Sequence, residues 1–152
     1  MSESYEETSQ LEMQAILDRQ RAAYLAEGVV SSQTRIDRLE RAVQVVKKHQ
    51  KAFVQAMNED FGHRSEHQSL VTDVASSVGP LRHAQQNLKR WQKKDKRKVN
   101  PGILALLGAK AWVEYHPLGV VGVISPWNFP VNLTFTPLAG VLSAGNRCMI
   151  KP

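Results

Sequence analysis

Val120-Val121-Gly122-Val123-Ile124-Ser125-Pro126-Trp127-Asn128-Phe129-Pro130 decides the fold of this chain. Its first residues are apolar and mostly β-branched, without polar alternation, as in a parallel strand covered on both faces. Pro126 keeps Ser125 out of the helical region and Pro130 does the same for Phe129, so the strand ends at Ile124 in a stiff, non-helical loop. Beyond the loop, Leu133 to Ala144 predicts a short helix, with Pro137 near its first turn or kinking it. Gly145-Asn146 ends that helix, and Cys148-Met149-Ile150 predicts the next strand. Strand, helix and strand make one βαβ unit. The fold class is therefore α/β: N-terminal helices plus the start of a doubly wound parallel sheet.

In open α/β sheets, ligands bind outside the carboxyl ends of the strands. Ser125–Pro130 and Lys151 leave parallel strands at the same edge and so face one crevice. A rigid Asn128 suits two roles. Its amide could donate hydrogen bonds to an oxygen that becomes negative during a reaction, or it could cap the following helix. Spacing leaves both open. Lys151 is likewise open between a ligand-binding cation and a solvated strand-end lysine.

Upstream the chain predicts helices. Ser9-x-x-Glu12 is a capping-box pattern. It is followed by Leu11, Ala15, Ile16, Ala22, Ala23 and Tyr24, with Gly28 as the stop. A second helix starts near Ser32–Thr34, with Ile36, Leu39, Val43, Val46, Phe53 and Met57 at helical spacing and Gly62 as its end. A third spans about Ser65 to Trp91, with Leu70, Val74, Val78, Leu81, Leu88 and Trp91 on one face and a kink or break expected at Gly79-Pro80. All these apolar positions are expected to pack in a core. The texture changes at Val99. Asn100-Pro101-Gly102 is a turn signal, Lys110–Tyr115 alternates like a half-buried strand, and His116-Pro117-Leu118-Gly119 turns the chain again.

With 152 residues, 42% hydrophobic and 22% charged, the composition suits a soluble globular domain and excludes a disordered or fibrous chain. The acidic start MSESYEE is not expected to be a secretory or transit signal. The apolar stretches Gly102–Val113 and Val120–Trp127 are too short or interrupted to span a bilayer, so a cytoplasmic location is expected. A single cysteine, Cys148, allows no internal disulfide and no cysteine-based zinc site, and no metal is expected. Its apolar neighbours point to a structural thiol. The net charge of +6 is concentrated in Arg82–Lys98. Such a cluster could meet a phosphate backbone, but no nucleic-acid-binding motif accompanies it, and a solvated helix end is expected.

The ordered run Pro117 to Pro130, with Pro137-Leu138, Ala144-Gly145-Asn146 and Lys151-Pro152, resembles the aldehyde dehydrogenase superfamily. Asp60-Phe61-Gly62-His63-Arg64-Ser65 and Leu88-Lys89-Arg90-Trp91 are similar to its class 3 and coniferyl aldehyde dehydrogenase branch. The resemblance implies NAD- or NADP-dependent oxidation of an aldehyde, aromatic or medium-chain, to a carboxylic acid through a cysteine thiohemiacetal. It implies that Asn128 stabilises the tetrahedral oxyanion, that Lys151 hydrogen-bonds the adenosine ribose, and that Ile124, Ser125, Pro126 and Trp127 line the cofactor cleft. It also implies a homodimer, with Lys110–Tyr115 in a bridging element.

The expected organisation is residues 1–99 as a helical part of the cofactor-binding domain, 100–118 as a bridging strand segment, and 119–152 as the first βαβ unit. The family's nucleophilic cysteine, general-base glutamate and Gly-rich cofactor loop have no match here, and Cys148 does not match the nucleophile. The chain is therefore expected to be the N-terminal part of a longer enzyme and inactive alone. A semialdehyde or CoA-acylating member of the same superfamily is the alternative within the enzymes. A small basic helical nucleic-acid-binding protein is the alternative outside them.

Overall fold

Local capping chemistry sets the first two helices of the computed structural model, which describes residues 7–152. The acidic start, over residues 1–6, lies outside the described residues. Helix α1 (Gln10–Glu27) begins with the expected box: Ser9 Oγ accepts from the Glu12 N–H at 3.3 Å, and Glu12 Oε2 accepts from the Ser9 N–H at 3.0 Å. Gly28, at φ 66°, ends it. Helix α2 (Ser32–Phe61) is capped by Ser31, whose Oγ accepts from the Thr34 N–H at 3.1 Å, and is closed by Gly62 at φ 80°. Both stops use the left-handed φ that glycine adopts without steric cost.

The α2 stripe packs as its spacing predicts, with Leu39, Val43, Val46 and Met57 buried. The expected core role of α1 does not hold. None of its residues is buried, and Leu11 is 84% exposed. Helix α1 is attached by polar contacts near its end instead: Tyr24 Oη donates to the Pro117 carbonyl, and Arg147 Nη2 reaches the Ala23 carbonyl at 3.3 Å and the Glu27 carboxylate at 3.1 Å.

The chain is next helical from 66 to 91, as α3 (Glu66–Ser69), a π-helical stretch (Leu70–Ala75) and α4 (Ser76–Trp91). The break expected at Gly79-Pro80 is displaced upstream into that wide stretch, and Pro80 lies inside α4. The missing proline N–H deprives only the Ser76 carbonyl of its helical donor. The looser turns before it are stitched by hydroxyls, with Ser76 Oγ donating to the Thr72 carbonyl at 2.5 Å and Ser77 Oγ to the Asp73 carbonyl. Leu81, Ala84 and Leu88 of α4 are buried, the first two in one cluster with Leu39, Ala42 and Val43 of α2. Leu70 and Trp91 are exposed, contrary to expectation. Trp91 lies at the helix end against the His83 ring, with centroids 5.6 Å apart.

Strand β1 (Asp95–Arg97), helix α5 (Gly102–Leu106) and strand β2 (Ala111–Val113) follow. β1 and β2 pair antiparallel, with Lys96 opposite Trp112. The half-buried strand expected over Lys110–Tyr115 is thus only Ala111–Val113 and is exposed on both faces, because no element of the described residues packs on this ribbon.

Strand β3 (Val120–Ile124), helix α6 (Asn132–Ser143) and strand β4 (Arg147–Lys151) form the expected βαβ unit, with β3 and β4 parallel. Full cover on both faces of β3 is not reached. Val123 is buried, but Gly122 and Ile124 are exposed. Leu138 and Ala139 of α6 join Leu39, Val43 and Leu81 in one core, so α2, α4 and α6 share the main apolar contact. Each fully buried aliphatic side chain there is worth roughly 1.5–3 kcal/mol.

Two motif residues set the register. Asn146 is buried, and its Oδ1 accepts from the Gly119 N–H at 2.9 Å, while the Arg147 N–H donates to the Gly119 carbonyl at 2.9 Å. Gly145 turns the chain into β4 at φ 87°, and a Cβ there would stand 2.7 Å from Arg35 Cζ. The Arg35 guanidinium cannot easily yield, since it is buried and donates to the Val30 and Ser143 carbonyls at 3.1 Å each. Gly145→Ala is therefore expected to destabilise the protein by about 1–3 kcal/mol, read from denaturant melts. A melt identical to that of the unmodified protein would contradict this packing.

Candidate functional site

The parallel register places Ile124 opposite Lys151, and the Ser125 N–H donates to the Lys151 carbonyl at 2.9 Å. The loop after β3 and the side chain of Lys151 thus leave the sheet at one edge. Ile124 and Trp127 are 80% and 79% exposed there, large apolar groups beside an exposed ammonium. Pro126 and Asn128 are exposed as well. Ser125 is half-buried and shares a hydrogen bond with the Thr134 hydroxyl, which also donates to the Pro130 carbonyl at 2.6 Å. Trp127 lies against Phe61, with ring centroids 6.1 Å apart.

The capping role weighed for Asn128 is taken by another residue. Helix α6 has Val131 at its cap position, with no side-chain cap of its own. Asp73, from the π-helical stretch, accepts from the Val131 N–H at 3.2 Å and the Asn132 N–H at 3.1 Å with one carboxylate oxygen. A carboxylate there satisfies orphan N–H groups and complements the helix dipole. Among the described residues the Asn128 side-chain amide takes no hydrogen bond, and it stands at the surface.

The other oxygen of Asp73 accepts from Arg64 Nη2 at 2.6 Å, and Arg64 Nη1 donates to the backbone carbonyl of Asn128 at 2.7 Å. Asp73 is fully buried and Arg64 nearly so. The guanidinium carbon is 5.0 Å from the Phe61 ring centroid and 5.2 Å from that of Phe129, within cation–π range.

Arg64 stands in the sequence within the Asp60–Ser65 motif, with no part evident for it there, and Asp73 stands in no motif. A signal was present: Ser69, Asp73 and Ser77 recur at four-residue spacing beside the apolar stripe, and all three are fully buried. A polar row in register with a core face calls for a partner.

The remaining candidates lie apart from this edge. Cys148 of β4 packs against the main core, and burial pushes its thiol up from the ordinary range, which suits a structural group. The basic run Arg82–Lys98 is not one helix end. Arg82 pairs with Glu40 across α2 and α4. Lys94 pairs with Glu114 at 2.7 Å and lies 4.3 Å from the Trp112 ring centroid, and Arg97 pairs with Asp95. No helix of the described residues is long and apolar enough to cross a membrane.

Chemically, the edge offers a free primary amide on anchored backbone, an ammonium at a strand end, and the exposed apolar groups of Ile124 and Trp127. That set suits a ligand with hydrogen-bond acceptors and flat rings. Residues 2–152 match the sequence model of the "Aldehyde dehydrogenase family". Over 140 residues the chain is 55% identical to a "Probable coniferyl aldehyde dehydrogenase" of Caulobacter vibrioides, covering 92% of this chain and 29% of that protein. It is 43% identical over 136 residues to a "Coniferyl aldehyde dehydrogenase" of a Pseudomonas species, covering 90% of this chain and 27% of that protein. The chain therefore spans less than a third of the length of these curated relatives. Its fold matches that of a succinic semialdehyde dehydrogenase from Streptococcus pyogenes, solved with NADP+, at a TM-score of 0.82 and 13% identity. That match covers 97% of this chain and 31% of the other.

Proposed function

The chain belongs to the aldehyde dehydrogenase family, and from that premise we propose that it is the N-terminal part of an NAD- or NADP-dependent enzyme that oxidises an aromatic aldehyde of the coniferyl type to its carboxylic acid. The observation that carries the reading is the Asn128 amide, left free at the carboxyl edge of β3 while Arg64 holds its backbone and Asp73 performs the helix capping. The names of the two curated relatives support the aromatic substrate.

In this reading a cysteine thiolate, from the part of the enzyme beyond this chain, adds to the aldehyde carbon, and the carbonyl oxygen gains negative charge. Asn128 donates its amide hydrogen bonds to that oxygen. An amide carried on backbone that is anchored beforehand needs less reorganisation than solvent as the charge develops, and this makes it more effective. Collapse of the adduct expels hydride, and water activated by a glutamate, also from beyond this chain, hydrolyses the resulting thioester.

Bound NAD(P)+ supplies the hydride acceptor. The residues present fit such a group: Ile124 and Trp127 offer exposed apolar surface, Ser125 and Pro126 join them in the loop, and Lys151 would offer its ammonium to a ribose hydroxyl. Alone, residues 1–152 would carry the amide and part of the cofactor wall, with Cys148 unsuited as nucleophile, and would be inactive. The βαβ unit of residues 119–152 would be the first of the dinucleotide-binding domain, with the helices of residues 1–99 packed on it. The exposed ribbon of β1 and β2 would belong to a bridging element within a cytoplasmic homodimer.

In the complete enzyme, Asn128→Ala is expected to slow hydride transfer by roughly 10²–10³-fold, measured in a single turnover by stopped-flow absorbance; an unchanged chemical step would remove the amide from the mechanism. Lys151→Ala is expected to weaken NAD(P)+ binding while the step from the saturated enzyme changes far less. Fluorescence titration checks this, and an unaltered dissociation constant would contradict the assignment.

A further inference from the structure

We propose that the buried Arg64–Asp73 pair is the positioning device for the Asn128 amide, an inference that rests on the oxyanion role proposed above. Two carboxylate–amide bonds hold the start of α6 at Val131 and Asn132, and one guanidinium bond holds the carbonyl of Asn128 itself. These anchors fix the backbone after the amide. On the other side, Pro126 and the bond from the Ser125 N–H to the Lys151 carbonyl fix the backbone before it. The segment carrying the amide is thereby tied at both ends, while the amide is left free.

Fold stability is a poor reason to keep such a pair. Desolvating two charges opposes the gain from pairing them, and apolar residues of similar size are often as stable. Arg64 Nε, moreover, is buried with no acceptor among the described residues. What apolar side chains cannot do is hold one carbonyl and two N–H groups of a loop in a set geometry. The arginine fork does this because it donates in two directions at once, to Asp73 and to Asn128. Arg64 and Asp73 touch neither aldehyde nor cofactor in this scheme and act through Asn128.

The test uses the full-length enzyme and compares Asn128→Ala, Arg64→Met and the double variant by single-turnover hydride transfer. Arg64→Met is expected to slow the step by roughly 10- to 10²-fold, as for a reacting group displaced by about 1 Å, with the dissociation constants for aldehyde and NAD(P)+ little changed. The double variant should be no slower than Asn128→Ala alone. Losses that multiply in the double variant would overturn the positioning role while leaving Asn128 as the oxyanion donor. A normal rate for Asn128→Ala would instead overturn the oxyanion reading, and this inference with it.

If Arg64→Met does not fold, Arg64→Lys keeps the charge beside Asp73 but not the fork, and the same cycle is run with it. Hydrogen exchange adds a readout independent of turnover. The amides of Val131 and Asn132 should exchange faster in Asp73→Asn than in the parent, with those of β3 and β4 unchanged. Equal protection at Val131 and Asn132 would also overturn the proposal.

Discussion

A carboxylate with no exposed surface must be matched bond for bond, and Asp73 is that group here. Its two oxygens face two parts of the molecule. One meets Arg64, near the end of the helical layer, and the other meets the first N–H groups of α6. Through them the layer built by α2 and α4 is fastened to the βαβ unit by directed bonds as well as by the apolar contact of Leu39, Val43, Leu81 and Leu138. Apolar contact alone would let the two parts slide, since it has no preferred direction. Removing one partner of a buried pair of this kind typically costs about 3–5 kcal/mol, because the other charge is stranded.

The π-helical stretch follows from the same demand. Ser69, Asp73 and Ser77 face inward together, and the hydroxyls of Ser76 and Ser77 take up carbonyls of that stretch. Pro80 leaves the Ser76 carbonyl without its usual donor. The wide turns therefore sit where backbone bonding is already perturbed and where a polar group must be carried into the interior. Such local departures from α-geometry often accompany functional positions.

Legibility in the sequence followed the range of each interaction. Ser9 with Glu12, Gly28 and Gly62 mark helix ends by contacts within a few residues, and they read correctly. The βαβ unit read correctly because β-branched runs, prolines and the Gly145-Asn146 turn are local signals too. Leu11 and Trp91 read wrongly, because helical spacing says which residues share a face but not whether anything covers it. At the site, the strand edge and the stiffness around Asn128 were visible. The Arg64–Asp73 pair was not, since its targets lie 58 to 64 residues away in sequence. The choice between capping and a free amide turned on that pair. With Asp73 in the capping position, the Asn128 amide is left without that role.

Family membership and this geometry meet in one claim, that the Asn128 amide is held ready for a negatively charged oxygen. The most direct test is a crystal structure of the complete protein trapped with an aromatic aldehyde as the covalent thioester or thiohemiacetal of the proposed reaction. The account predicts Asn128 Nδ2 at about 2.7–3.1 Å from the substrate oxygen, with Arg64 still donating to the Asn128 carbonyl. An amide turned away from that oxygen, or engaged as a helix cap, would contradict it.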